Sequence, residues 1–584
     1  MAIQEKFPSS RDSGDGQAIS AGEKWKELLG KPTDLKVIRD PVHKDILLTP
    51  LEVTIVDTKE FQRLRHHRQL GPSYLIYPGA EHSRFQHALG TLEVARKMIE
   101  SINNPLPIGS ENTVQVREVV LTRLCALLHD IVNIPFGHTI EDEGNLVTRD
   151  WKDDRRIPEI LGADRNVGRL IVSRIDAVVG PGEGLRFLDE LVKTLVATDD
   201  EQVEALPHPF VSDIVSNTVC ADLLDYLGRD TYFTGIQKSY DWRIVRYFVL
   251  ATYNKHKRLA IRLWTSKRRM KRDILSELVS LLHMRYSLAE MVYYHHAKMA
   301  ASAMLIRAVH DSGILEDKKS FQKLLEYGDD ELLSLLRSGA KESTKEILQS
   351  YGERRLYKPV YQISYAKRSA GAVGADSISK AGEKFYDPKK SRDLESKLEA
   401  LASLQALGAK KGHIVVYCPN PKMNMKVATT KVVWQDDSVY ELTSVPDQDL
   451  QSEVKSIEEK HRKLWKLMVF VHPVTYQKAV EKGIRDYLAE KCQEAIGVMN
   501  ELPYHMSELE RRVVEGEDVT LRLQAFTQVH DYSTRNVIEA VSDDETVELV
   551  RLIAQRGERD GRYVSITDSQ IQELLVAVRK AKSR

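Results

Sequence analysis

The chain has 584 residues, 85 Lys+Arg against 85 Asp+Glu, with 42% hydrophobic and 29% charged residues. These are the proportions of a globular protein of about two to four domains, and the balanced charge gives no global argument for a nucleic-acid or membrane partner. Cys125, Cys220, Cys418 and Cys492 are scattered with no CxxC pair, which argues against a disulfide framework or zinc ribbon. No apolar run approaches the roughly 20 residues of a membrane span, and the polar N-terminus lacks a signal-peptide core. A soluble, cytoplasmic protein without a membrane partner is the expectation.

Residues 1–30 open with Ser, Gly, Asp and Gln and predict a flexible N-terminal tail. Lys36 to Leu48 reads as an extended segment and turn, since Asp40 precedes a proline. Leu51 to Leu70 is helical in pattern until Gly71-Pro72 breaks it. The next helix starts near Ser83, with Ala88, Leu92, Ala95 and Ile99 forming its core stripe and His87 beside it. Val114 to Leu128 is apolar on most sides, which implies a helix buried in a bundle, and it delivers His129-Asp130 at its C-terminal end.

Residues 144–207 alternate helical stretches with polar loops. Ile214 to Arg229 predicts another apolar helix carrying Asp222, with Tyr226, Arg229 and Asp230 on its face. Phe248 to Tyr253 and Leu259 to Trp264 predict a small hairpin. One long helix from Ile274 to Val309 is expected to contain Arg285, Tyr293, His295 and His296. Tyr365 to Arg392 reads as a mobile loop or linker, and Ile414 to Tyr417, Thr430 to Trp434 and Tyr440 to Leu442 as strands. From Val474 onward the pattern is mostly helical. The fold class is therefore mostly α: a helical bundle with a small β-hairpin over 31–360, a smaller α/β lobe with a mobile linker over 361–484, and a helical C-terminal region over 485–584.

His129 and Asp130 leave their helix about 100° apart, so both can reach one point at its end. An adjacent His-Asp pair is weak evidence alone, because most helical histidines are structural. Its setting after an apolar run changes the balance, since an unpaired carboxylate there is costly and a cation would satisfy both side chains. His87 and Asp222 are available as further ligands.

The segments Glu81-His82-Ser83-Arg84-Phe85-Gln86-His87, Leu128-His129-Asp130 with Pro135-Phe136-Gly137-His138, and Ala221-Asp222-Leu223-Leu224-Asp225-Tyr226 with Arg229-Asp230 resemble the HD-domain superfamily. Asp40-Pro41-Val42-His43 and Phe61 to Gly71 resemble its deoxynucleoside triphosphate triphosphohydrolase branch. The resemblance covers roughly residues 36 to 310, and implies an HD phosphohydrolase domain for the 31–360 segment. It implies that His87, His129, Asp130 and Asp222 ligate one divalent metal ion, with Mg, Mn, Fe, Zn and Ni not distinguished. It implies catalytic roles for His138, Glu141 and Asp130, with Glu141 orienting His138 or the attacking water. Arg84 would bind phosphate, Gln69, Leu70, Tyr226 and Asp230 would line the sugar pocket, and Arg285, Tyr293 and His295 the phosphate side. The implied reaction is dNTP plus water giving deoxynucleoside and inorganic triphosphate. A homo-oligomer is implied too, with Asp57, Gln62 and Arg65 as candidates for an activating nucleotide.

Two departures stand out. Asn133 occupies a position where relatives often carry another histidine, and no histidine lies between His138 and His208. These put proton transfer in question and leave two other readings open: an HD-type nuclease or cyclic-nucleotide phosphodiesterase, and a nucleotide-sensing oligomeric regulator with weak or no catalysis. Lys255 to Arg272 is a basic run that suits single-stranded nucleic acid, regulatory phosphates or simply a solvated hairpin face. His66-His67 reads as surface or interface. No glycine-rich phosphate loop or dinucleotide fingerprint is present.

Overall fold

The computed structural model describes residues 21–104, 113–147, 156–265, 267, 269–315, 322–339, 341–365, 372–421 and 429–502. Most of the predicted tail and residues 503–584 of the predicted C-terminal helical region lie outside the described residues. The fold is mostly helical with small sheets, as the periodicity predicts. Residues 21–30 differ from the predicted tail: Ala21–Leu29 is a helix, α1, because Trp25 and Leu28 fall on one face and bury in the main core, where Trp25 stacks on Phe187 at 5.4 Å.

The bundle is centred on α2 (Arg84–Asn103), which packs on both α3 (Val116–Leu128) and α4 (Ala221–Thr234). Most of α2 and α3 is buried, including Leu92, Val94, Ala95, Leu121, Leu124 and Leu127. A hairpin of β1 (Lys36–Asp40) and β2 (Lys44–Leu48) lies against this core, with Ile46 and Leu48 fully buried.

Three predicted helices are broken. The 51–70 segment becomes Pro50–Val56, Lys59–Gln62 and a 3-10 turn, because Thr58 caps a new start by accepting from the Phe61 N–H. The 214–229 segment splits into Pro209–Ser216 and α4, with Cys220 as the cap, so Asp222 stands in the first turn of α4. There the N-terminal end of the helix dipole favours its ionised form. The 274–309 segment becomes α5 (Arg272–Leu288), a π-helical turn Ala289–Tyr293, and α6 (His296–Ser312) capped by His295.

β3 (Phe248–Tyr253) and β4 (His256–Arg262) form the predicted hairpin, closed by left-handed Asn254 and Lys255. It continues into β7 (Lys431–Val433) and β8 (Val439–Glu441), with β4 and β7 parallel. A second sheet has the order β5 (Lys358–Ser364), β9 (Lys466–Val471), β6 (Ile414–Tyr417). The first sheet joins strands from either side of the predicted 360/361 boundary, and β5 of the second runs across it. The 365–392 segment departs from the predicted linker: Ala372–Phe385 and Pro388–Glu399 are helices, and Phe385, Leu394 and Leu398 bury against the second sheet. Among the described residues no helix is long and apolar enough to cross a membrane.

Candidate metal centre

Ser83 and Gln86 form a capping box that starts α2, which puts Arg84 at its first position and His87 one turn in. His129 is the C-cap residue of α3. The two imidazoles meet with Nε2 atoms 3.2 Å apart. His87 Nδ1 lies 2.7 Å from Asp225 Oδ2, and His129 Nδ1 lies 2.8 Å from the Ala126 carbonyl. Both partners accept, so each Nδ1 carries a proton and, in the neutral ring, each Nε2 would present a lone pair to the same point. Two lone pairs that close repel unless a cation lies between them. Ligands about 2.0–2.1 Å from one ion sit about 3.0–3.4 Å apart, which matches the spacing found.

The carboxylates complete the donor set. Asp222 Oδ1 is 3.0 Å from His87 Nε2 and 4.0 Å from His129 Nε2, while Asp130 Oδ2 is 3.8 Å from His129 Nε2. Ligand atoms of His87, His129 and Asp130 all lie within 4.8 Å of one another. Burial resists charge on His87, but Asp222 and Asp225 outweigh it and push the imidazole up to about 10. This point of the pocket therefore favours positive charge, and a divalent ion on Nε2 would satisfy that demand in place of a proton. Burial also resists ionisation of Asp130, yet Arg84, His129 and His87 hold its carboxyl well below the usual range. The donors fit a divalent ion: neutral imidazoles, ionised carboxylates and outer partners that fix their orientation.

Asn133 takes a definite place in this arrangement. Its amide donates to Asp130 Oδ1 at 2.6 Å while Arg84 Nη1 donates to Oδ2 at 2.6 Å, so the carboxylate is clamped on both sides. Asp225 has a larger part than its appearance in the motif suggested. Fully buried, it meets His43 Nε2 at 2.6 Å as well as His87, and accepts from Arg229. Arg229 turns away from the Asp222 face to pair with Asp225 and with Asp40 at 2.8 Å.

A cavity of about 870 Å³ opens on these ligands, and Gln69, Leu70, Arg84, Tyr226, Asp230 and Tyr293 border it. Both Asp230 oxygens are engaged, by His82 Nε2 at 2.8 Å and by the Tyr293 hydroxyl at 2.7 Å. Gln69 Oε1 is buried with no hydrogen-bond partner. His138 also borders the cavity, and Asp142, not Glu141, holds its Nδ1 at 2.7 Å. Glu141 is buried against Arg156 at 2.6 Å, which removes it from the predicted role of orienting His138. Asp142 and Glu141 occupy a π-helical turn, Thr139–Glu143, whose extra residue rotates successive side chains apart.

Other predicted residues sit further out. Arg285 is near enough to Tyr226 and Tyr293 to act on both electrostatically. His295 caps α6 and stacks on His296 at 4.5 Å. On the surface, Arg65 donates to Gln62 at 2.8 Å and lies over the Phe85 ring, while Asp57 ends the Pro50–Val56 helix. His67 is buried against the Tyr327 carbonyl at 2.7 Å, whereas His66 is exposed, so only one of that pair is at the surface. In the basic run, Arg258 turns inward and pairs with Asp213 at 2.7 Å. Lys298 escaped sequence reasoning: it borders the cavity and pairs with buried Glu143. A lone lysine in the Ala- and Met-rich start of α6 was the available signal.

Two family models match the chain: the HD domain over residues 84–229 and the HD associated region over residues 275–495. An uncharacterized protein of Methanocaldococcus jannaschii is 33% identical over 341 residues, covering 57% of this chain and 60% of that relative. Deoxynucleoside triphosphate triphosphohydrolase SAMHD1 of Danio rerio is 27% identical over 377 residues, covering 59% of this chain and 58% of the relative. The chain thus matches about three fifths of the length of these curated relatives. The crystal structure of a hypothetical protein from Aquifex aeolicus aligns with a TM-score of 0.51 at 18% identity, over 78% of this chain and 100% of that one, and shows the shared fold. His87, His129, Asp130 and Asp222 all lie inside the first of two consecutive matching regions, and the chain thus carries an HD domain followed by an HD associated region.

Proposed function

We propose that the chain is a metal-dependent phosphohydrolase that converts dNTP and water into deoxynucleoside and inorganic triphosphate. The observation that carries this reading is the pair of Nε2 atoms 3.2 Å apart, flanked by Asp130 and Asp222 in the lining of a nucleotide-sized cavity. The HD-domain match and the activity in the name of the Danio rerio relative support the same chemistry.

An ion held by His87, His129, Asp130 and Asp222 would supply Lewis acidity and neutralise charge on a phosphate oxygen. The chain's own residues do the rest. Arg84, anchored by Asp130, faces the triphosphate with its remaining N–H donors, and buried Lys298 adds a second positive charge. His138, steadied by Asp142, protonates the departing 5′-oxygen of the deoxynucleoside. Gln69 Oε1, without a protein partner, accepts a hydrogen bond from the substrate. Tyr226 packs beneath the deoxyribose, where a 2′-hydroxyl would lose its solvation.

The set of exposed Asp57 and Arg65 with half-buried Gln62 is proposed to receive an activating nucleotide in a homo-oligomer. Nucleotide-dependent assembly measured by light scattering checks this part. Incubation of the purified chain with each dNTP and with single-stranded DNA, under Mn or Mg, tests the main reading. Inorganic triphosphate released without DNA shortening is the expected result. DNA shortening without triphosphate would establish the nuclease reading, and bound metal with no turnover would establish the regulator. The inward turn of Arg258 weakens the nuclease reading, since it removes a charge from the basic run's open face.

A further inference from the structure

Among the described residues a second group of ligand atoms converges, at the far end of the smaller sheet: Glu346, His413 and His472, all within 4.8 Å of one another. Glu346 comes from the helix Glu342–Gly352, His413 from the residue before β6, and His472 from the residue after β9. The two strand ends are locked together, for the His472 N–H donates to the His413 carbonyl at 2.8 Å. The imidazoles stack with centroids 4.4 Å apart and planes 19° apart, so their edges point the same way. That way is toward Glu346, whose Oε1 lies 3.3 Å from His413 Nε2 and 3.6 Å from His472 Nε2.

A single carboxylate oxygen serves both rings. His413 is 5% exposed, and its buried Nε2 has the Glu346 oxygen beside it at 3.3 Å. Its Nδ1 is 2.7 Å from the Thr475 hydroxyl, which can accept that proton and leave Nε2 with a free lone pair. His472 is 4% exposed and its Nε2 faces the same oxygen at 3.6 Å. Two buried imidazoles and one carboxylate facing one another are the donors of a transition-metal site, and imidazole selects zinc, cobalt or nickel over magnesium or calcium.

We propose that Glu346, His413 and His472 bind one zinc-class metal ion, separate from the HD centre, that ties the helix Glu342–Gly352 to the ends of β6 and β9. The cationic neighbours are Lys410, 3.6 Å from Glu346 and 70% exposed, together with Lys478 and Arg355. Lys410 is free to swing into solvent when an ion takes its place at the carboxylate. Glu346, about one third exposed, leaves the ion's remaining position open to water.

The test titrates zinc and, separately, magnesium into the chelator-treated full chain against a competing chromophoric chelator, with folding checked by circular dichroism. Asp130→Ala should keep one zinc equivalent, and His413→Asn with His472→Asn should lose one relative to the unaltered chain. Glu346→Gln, a milder change at a partly exposed side chain, should weaken that equivalent by at least about 100-fold, beyond the roughly 10–100-fold effect of an outer-shell change. Zinc should also raise the unfolding temperature of Asp130→Ala but not of that chain carrying Glu346→Gln as well. A folded Asp130→Ala chain that binds no zinc would overturn the site. So would a Glu346→Gln chain with zinc stoichiometry and affinity unchanged, or equal binding of magnesium.

Discussion

Asp225 Oδ2 lies 2.7 Å from His87 Nδ1, and through that bond a residue outside the donor set fixes the direction of His87 Nε2. The same carboxylate meets His43 and accepts two hydrogen bonds from Arg229, so His87 is held by a buried network joining the β1–β2 hairpin to α4. Asp225→Asn keeps the size but replaces an acceptor facing His87 with an amide that can turn its NH₂ group there. We expect metal affinity at the HD centre to fall about 10–100-fold. Calorimetric titration of Mn into the folded variant measures this.

Gly90 lies one turn after His87, and its missing side chain is what admits Asp225. A Cβ there would sit 1.8 Å from Asp225 Oδ1 and 2.4 Å from Arg229 Nη2. Gly90→Ala should gain about 1 kcal/mol of helix propensity on an exposed helix. Here the clash reverses the sign, with an expected loss of about 1–3 kcal/mol and displacement of the His87 partner. Thermal unfolding of the variant, with Asp225→Asn for comparison, checks the direction.

The apolar periodicity placed His87 and His129 on buried helices, while the expectation that they meet Asp130 and Asp222 rested on the motif resemblance; His87, His129 and Asp130 do converge. Asp222 was legible as a ligand but not as a first-turn residue, since the break at Asn217 to Cys220 depends on the Cys220 cap rather than on a glycine or proline. The 289–295 break was hidden for a similar reason: a π turn has the composition of a helix, and only tertiary contacts such as Tyr293 to Asp230 select it. The resemblance pointed to Glu141 as the residue that orients His138, whereas Asp142 stands beside its Nδ1 and Glu141 pairs with Arg156. The helix Pro388–Glu399 was missed because its Lys- and Ser-rich face is solvent-exposed while a few residues carry the packing.

His461 supplies a pH dependence. It is half-buried near Arg285, and desolvation first, then the guanidinium charge, pushes its imidazole down to about 4 from an ordinary value near 6.5. The unfolded chain therefore binds a proton here that the native chain refuses, so stability falls as pH drops from about 6.5 to 4. His461→Phe should remove this part of the acid sensitivity, worth about 2–3 kcal/mol at its full extent. Denaturant unfolding at pH 7 and pH 5 should show a smaller loss in the variant, and equal losses would rule His461 out as a source.

Tyr226 offers the sharpest test of the nucleotide assignment. It stands one turn after Asp222 on α4, borders the cavity and is held among buried groups, with desolvation raising its phenol far above the ordinary value. A rigid ring in that place leaves no water and no hydrogen-bond partner for a 2′-hydroxyl, so a ribonucleotide would bury an unpaired polar group at a cost of about 1–3 kcal/mol. Tyr226→Ala opens that space to water. The ratio of kcat/KM for ribo- over deoxyribonucleoside triphosphate should rise about 10-fold or more, while metal binding stays intact because the ligands are untouched. Competition assays with paired nucleotides would read the ratio directly, and a variant that loses activity without shifting it would place the sugar elsewhere in the cavity.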